Sequence, residues 1–387
     1  MNTPRQAGHV PALDGLRGVA IALVVTYHSL PWVSTTNPLW KGIYFLASLG
    51  WAGVDLFFVL SGYLITGILL DGLGAPGSLR AFYTRRVLRI FPACYVLLGV
   101  LLGLRGCGLT SGYMDLDRAF AVAALYVSNF YYGLAASPST WAPLGVTWSL
   151  AVEEQFYLVW PFVVRRLGRS GVVSLGLGLF LAVTLARVLL VSSGFRGFAA
   201  LEYLTFFKFD ALGTGALLAA LLRDRTRGTA GLRRGLRVAT LAAWPLALAL
   251  GATNSLNRSS LVLHSLGFAV LSVAFGCAVG WSVLPGAPGL SRLWSAAPLR
   301  YLGRISYGLY LYHQVANWLF ADYLGPHWLA AAAAPTWSIA RFLFVWIASI
   351  GVAEASWRFI EAPCLRRKPA YPGGSAEPPP ARQSPAR

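Results

Sequence analysis

Acidic residues are scarce in this chain: 14 Asp and Glu stand against 32 Lys and Arg, and charged residues of both signs make up only 12% of 387. The resulting net charge of +18 would suit a nucleic-acid binder. The basic residues, however, lie between apolar runs and not in a basic domain, and no nucleic-acid motif is present. Cysteine is rare as well. Cys94, Cys107, Cys277 and Cys364 are scattered singly, which excludes metal-ligand spacing and a disulfide framework. The first apolar run carries charges and lacks a small-residue cleavage site, so it reads as a retained signal-anchor helix. No internal repeat is evident.

Apolar residues are abundant, at 56% of the chain, and runs of membrane-spanning length recur along it. They fall near 13–31, 50–70, 87–104, 148–164, 171–193, 205–222, 236–253, 261–284, 301–321 and 337–360, with a shorter segment at 119–133. Arginine-rich loops orient them. The loops at 80–89, 165–169, 223–237 (Arg225 and Arg227 included) and 292–304, and the tail at 366–368, are expected on the cytoplasmic side. Parity then requires 119–133 not to cross. The expected fold is an all-α polytopic bundle of about ten transmembrane helices plus that one short non-crossing segment, with both termini cytoplasmic. The expected divisions are a cytoplasmic segment 1–12, a membrane domain 13–364 and a disordered tail 365–387 rich in Pro, Gly and Arg.

The first span, LDGLRGVAIALVVTYHSL, carries Asp14, Arg17 and His28. Eleven helical steps of about 100° return a side chain to within roughly 20° and raise it about 16 Å. Arg17 and His28 therefore share one side at different depths, with Asp14 near it. Arg17 alone would snorkel to the headgroups, and an isolated His28 would be a bonded core histidine; the shared face argues for a cavity. The second span holds Asp55 and Ser61 among glycines. The glycines suit close helix packing, whereas a lone carboxylate in a bilayer is costly. Next comes RRVLRIFP. Arg85, Arg86 and Arg89 satisfy the positive-inside rule, and they also make an anion clamp. TWSLAVEEQFYLVWP contributes Trp148 and the adjacent Glu153 and Glu154, and a carboxylate near His28 would raise its basicity. Lys208 and Asp210 mark the outer end of a later span, and LGRISYGLYLYHQ places Arg304, Tyr307, Tyr310 and His313 on a late helix.

Taken in order from about residue 11 to 360, these stretches resemble acyltransferase family 3, the bacterial integral-membrane acyl-CoA-dependent O-acyltransferases. The resemblance implies an enzyme of the bacterial inner membrane that takes an acyl group, usually acetyl, from cytoplasmic acyl-CoA. The group passes to a sugar hydroxyl of a cell-surface glycan or a glycosylated metabolite. Acyl-CoA is then a co-substrate, with no permanently bound cofactor and no metal. By the same likeness Arg17 and His28 match the family's essential motif, Arg86 and Arg89 its donor-side basic motif, and Glu153 its acidic position after Trp148. Lys208 stands where arginine is common, and Gln314-Val315 follows His313 where many relatives have a proline. Some members carry an extracytoplasmic esterase-like domain; none is expected within these residues.

The chemistry that follows is coherent. Arg85, Arg86 and Arg89 hold the phosphates while the pantetheine arm enters the bundle. His28 acts as general base, or alternatively as a nucleophile that carries the acyl group, and Arg17 and Glu153 assist. The base needs one step and no stored intermediate. Asp14, Asp55, Ser61, Trp148, Lys208, Asp210, Tyr307 and His313 are expected to support the site. A transporter or flippase of a lipid-linked or sugar substrate is the alternative, since intramembrane charges and glycine-broken spans occur there too.

Overall fold

The computed structural model describes residues 10–30, 36–110, 112–135, 138, 141–224, 229–284, 288–328 and 334–371. Most of segment 1–12, Arg225 and Arg227, and the tail beyond 371 lie outside the described residues. Every regular element among the described residues is a helix. In order they are α1 (Pro11–Ser29), α2 (Pro38–Ser48), α3 (Gly53–Asp71), α4 (Ser78–Gly106), α5 (Leu116–Ala124), α6 (Ser128–Leu134) and the single turn α7 (Ala142–Gly145). Then follow α8 (Thr147–Ser192), α9 (Phe198–Tyr203), α10 (Phe209–Leu222), α11 (Thr229–Ala252), α12 (Phe268–Val283) and α13 (Pro288–Trp294). The chain closes with α14 (Ala297–Arg304), α15 (Ser306–Leu319), α16 (Gly325–Trp328), α17 (Ala334–Ser356) and α18 (Ala362–Leu365).

Seven helical segments among the described residues are long and apolar enough to cross a membrane: Pro38–Asp71, Ser78–Gly106, Ala142–Ser192, Thr205–Leu222, Ala230–Ala252, Leu263–Val283 and Thr336–Leu365. With these, the chain is a multi-pass membrane protein. The third, 51 residues long, would reach about 77 Å if straight, more than twice a hydrocarbon core of about 30 Å. Gly168 divides it, with φ 61° and ψ −167°, a conformation essentially reserved for glycine. The break falls inside the arginine loop that the sequence reading put between two spans. The 119–133 segment becomes α5 and α6, of nine and seven residues, too short to cross at about 1.5 Å per residue.

Two elements differ from the sequence reading. The run at 50–70 is the second half of a longer helical stretch, because α2 and a 3-10 turn (Leu49–Ala52) lead straight into α3. The run at 301–321 is not continuous: α14 stops at Arg304, and α15 starts at Ser306 after a break at Ile305. Apolar content registers burial or lipid contact and is blind to a change of helix direction.

Buried α1 is the centre of the bundle; Ala20, Ile21, Val24 and Val25 are fully enclosed. Glycines let neighbours reach its backbone. A Cβ on Gly18 would stand 2.0 Å from the Leu299 carbonyl oxygen of α14, and one on Gly303 would stand 1.8 Å from that of Asp14. The α3–α10 contact is built the same way, through Gly62 and Gly215. The outer face is apolar: Leu177, Leu181, Leu185 and Leu189 form one exposed stripe on α8, four residues apart, as lipid contact requires.

The arginine-rich loops meet at one end of the molecule. Arg169 pairs with Asp224 at 2.6 Å, Arg223 holds Asp71 through two bonds of 2.7 Å, and Arg85 donates to the Pro369 carbonyl at 3.3 Å. At the opposite end, Tyr113 donates to Asp322 at 2.6 Å.

Candidate active site

Polar side chains are expensive inside an apolar bundle, so their distribution is informative. Here they form a column from the arginine-rich end to the opposite one. At the arginine-rich end, Arg86 and Arg89 of α4 lie within electrostatic reach of Arg17 of α1, as do Asp14 and Tyr157. Asp14 offsets the crowded positive charge, with an oxygen 3.9 Å from Arg17. Arg86 spans the rings of Phe82 and Tyr157, 5.9 Å from each centroid, and its Nε is buried without a hydrogen-bond partner among the described residues. Arg85 is turned to the Pro369 carbonyl at the rim. Tyr307 donates to the Ile90 carbonyl at 2.6 Å, which ties α15 to the turn carrying Arg89.

Glu153 lies deeper. Ser61 donates to one carboxylate oxygen at 2.5 Å and Tyr157 to the other at 3.1 Å. Arg17 and Arg86 are its nearby positive charges. A carboxylate near His28 would raise its basicity; among the described residues the side chain bonded to His28 is His313. The Nε2 of His313 is 3.1 Å from the Nδ1 of His28, which also meets the Val24 carbonyl at 3.0 Å. Among the described residues, both oxygens of Glu153 bond elsewhere, so it sits on the Arg17 side of the column. Between the two groups Tyr310 bonds to Ser149 and to the Val146 carbonyl, fixing α15 against the start of α8.

His28 occupies the last turn of α1, where helix carbonyls run out of N–H partners of their own helix. Arg341 of α17 reaches the His28 carbonyl at 3.5 Å and Asn317 of α15 at 2.8 Å. Beyond His28, Arg258 grips Glu202 through bonds of 2.5 and 3.1 Å and also donates to Tyr203 and Tyr27. Trp148 packs on Tyr203 with ring centroids 4.9 Å apart.

Beside the column are two buried ion pairs. Lys208 meets Asp55 at 3.1 Å and lies over the Phe268 ring at 4.3 Å. Arg187 meets Asp210 at 3.3 Å, donates to the Phe207 carbonyl at 2.8 Å, and lies 4.4 Å from the centroid of the same Phe268 ring. Asp55, Lys208 and Asp210 are thus each held in a buried ion pair. No group of three or more His, Cys, Asp or Glu able to hold a metal occurs among the described residues.

The sequence reading missed Tyr157, Arg187, Glu202, Arg258, Arg341 and Glu361. Arg187, alone in an apolar span, carried the same cost signal as Asp55. Glu361 is buried in a π-helical turn (Trp357–Glu361), accepts from Ser356 at 3.1 Å, and faces the charge of Arg89. Glu202 in the short helix α9 and Arg258 in a connection lie outside the apolar runs, where a charge costs nothing until tertiary packing buries it.

The chain is 31% identical over 374 residues to the peptidoglycan O-acetyltransferase OatA of Listeria monocytogenes, covering 92% of this chain and 56% of that one. It is 31% identical over 333 residues to YrhL of Bacillus subtilis, provisionally named a peptidoglycan O-acetyltransferase, covering 79% and 48%. A Staphylococcus aureus protein provisionally named an O-acetyltransferase is 26% identical over 374 residues, covering 92% and 57%. The chain spans about half the length of these relatives. No solved structure matches. Residues 10–353, which contain Arg17, His28, the α4 arginines, Glu153 and His313, match the model described as an acyltransferase domain, and the chain belongs to acyltransferase family 3.

Proposed function

We propose that this protein is a membrane O-acyltransferase that moves an acetyl group from cytoplasmic acetyl-CoA to a sugar hydroxyl of a cell-envelope glycan or glycosylated metabolite. The observation that carries the reading is the polar column: arginines at one end, a histidine pair near the other, and Arg17 and Glu153 between them. The protein sits in the bacterial inner membrane with about ten crossings and both termini cytoplasmic; α1, a second crossing from the divided α8, and α14–α15 make up the number beyond the seven long apolar segments.

The polyanionic end of acyl-CoA docks on Arg86 and Arg89, with Arg85 at the rim, because guanidinium groups bind phosphates in pairs. The thin pantetheine arm then runs past Arg17 and Glu153 to bring the thioester to His28. A rise of about 16 Å along α1 separates the Arg17 and His28 backbones, more than an arginine side chain spans. Arg17 therefore orients the donor and does not touch the reacting carbonyl. The acceptor approaches from the end lined by Tyr27, Trp148, Glu202, Tyr203 and Arg258, where rings and paired charges suit a sugar. His28 removes the hydroxyl proton as the oxygen attacks the thioester carbonyl. The tetrahedral intermediate then collapses, the C–S bond breaks, and the thiolate takes the proton back from the imidazolium.

Purified wild type and His28→Ala, matched for folding, are to be compared for acetyl transfer from acetyl-CoA to a sugar acceptor. Loss of transfer in the variant is expected. Transfer at the wild-type rate would overturn the mechanism.

A further inference from the structure

Resting on the reading of His28 as the base, we infer that His313 is a positioning residue that holds His28 in the one neutral tautomer able to take a proton from the acceptor. The assignment follows from counting donors and acceptors. The His313 ring is fully buried, and its Nδ1 lies 3.0 Å from the Leu309 carbonyl and 2.8 Å from that of Tyr310. Both partners are acceptors, so Nδ1 carries the hydrogen. A neutral imidazole has only one, which leaves a lone pair on Nε2. That lone pair faces the His28 Nδ1 at 3.1 Å, and the Val24 carbonyl faces the same nitrogen at 3.0 Å. Two acceptors converge on His28 Nδ1, so it also carries its hydrogen. The lone pair of His28 is therefore on Nε2, away from the helix backbone.

The Val24 carbonyl alone fixes which nitrogen is protonated but is a single contact within α1. His313 adds a second contact from α15 and so sets the plane of the ring. Both helices are anchored: Arg341 ties the His28 carbonyl to Asn317, and Tyr310 ties α15 to α8. When His28 takes up a proton, its bond to His313 becomes charge-assisted and strengthens at that moment. A neutral imidazole partner gives this support without the permanent negative charge with which a carboxylate would retain the proton.

The test uses the full-length protein in detergent or nanodiscs, with wild type, His28→Ala, His313→Leu and His313→Gln checked for equal monodispersity. Leucine fills the volume but cannot accept a hydrogen bond, whereas the glutamine carbonyl accepts one where Nε2 stood. His313→Leu should lower kcat roughly 100-fold or more while KM for acetyl-CoA stays within about twofold, and His313→Gln should recover to within about tenfold of wild type. Nitrogen-15 spectra of histidine-labelled wild type, with the His28 signal identified by its loss in His28→Ala, should show His28 protonated on Nδ1. The inference is overturned by wild-type kcat in His313→Leu, by equal losses in the leucine and glutamine variants, or by a His28 protonated on Nε2. If His28→Ala retains transfer, the acyltransferase mechanism fails, while the nitrogen spectra still decide the tautomer. If His28→Ala is inactive and His313→Leu is not, only the positioning role fails.

Discussion

At the scale of single residues, the Lys208–Asp55 pair shows what a charge inside this bundle requires. The partners are 3.1 Å apart and their side chains are 1% and 3% exposed. A buried pair contributes little net stability against an apolar replacement, but removing one member strands the other. Lys208→Met should therefore destabilise the protein by about 3–5 kcal/mol, and Asp55→Leu combined with Lys208→Met should recover most of that loss. Thermal unfolding of Lys208→Met, Asp55→Leu and the double variant in one detergent measures it. Additive losses in the double variant would show that the two side chains act separately. The same residues mark what the sequence reveals at this scale. Arg17 and His28 were legible because eleven residues is nearly a whole number of helical turns. Asp55 and Lys208 were legible as costly charges, but not as partners, because 153 positions separate them. His313 was legible as a candidate, whereas its contact with His28 depends on how α1 and α15 pack. The surroundings of Glu153 depend on packing too: Tyr157 lies one turn along the same helix, but its distance from Ser61 and His28 is set by how α8 packs on α3 and α1.

At the scale of elements, most helices were readable as apolar runs, and their breaks were less so. The break at Gly168 coincided with a cluster of arginines and could be placed; the one at Ile305 also follows arginines, Arg300 and Arg304, but the apolar residues resume so soon around them that the run reads as starting at 301. Glycines are ambiguous in sequence, because the same residue permits a turn, a kink or a close helix contact. The geometry separates these uses. Gly18 touches the α14 backbone, while Gly103 on α4 has open space where a side chain would go. Gly18→Leu should push α14 from α1, at a cost of about 1–3 kcal/mol or more, and move His28 relative to its partners. Gly103→Ala should be neutral or stabilising by up to about 1 kcal/mol, as in any exposed helix interior. Yield of folded protein and apparent Tm distinguish the two. Equal behaviour would mean that the α1–α14 contact is not close in the membrane.

At the scale of the whole molecule, one direction organises everything: the arginine-rich loops and the α4 arginines at one end, the histidine pair and the Arg258–Glu202 pair towards the other. The proposed transfer from a cytoplasmic donor to an acceptor on the far side requires this polarity. The sequence carried the polarity in its loop charges, but not the column, whose members come from α1, α3, α4, α8, α15 and α17. Orientation in the membrane is testable with a thiol that is already present. Cys107 is exposed just past α4, at the end away from the arginine loops, while Cys94 and Cys277 are buried. Ser170 is exposed beside Arg169, at the arginine-rich end. In right-side-out spheroplasts a membrane-impermeant maleimide should label Cys107 without permeabilisation. With Cys107→Ser, Cys364→Ser and Ser170→Cys combined, because Cys364 is a part-exposed free thiol, labelling at 170 should require permeabilised membranes. Labelling at 170 from outside would invert the molecule. The α4 arginines would then face away from cytoplasmic acyl-CoA, and the route from donor to His28 proposed here would have to run the other way.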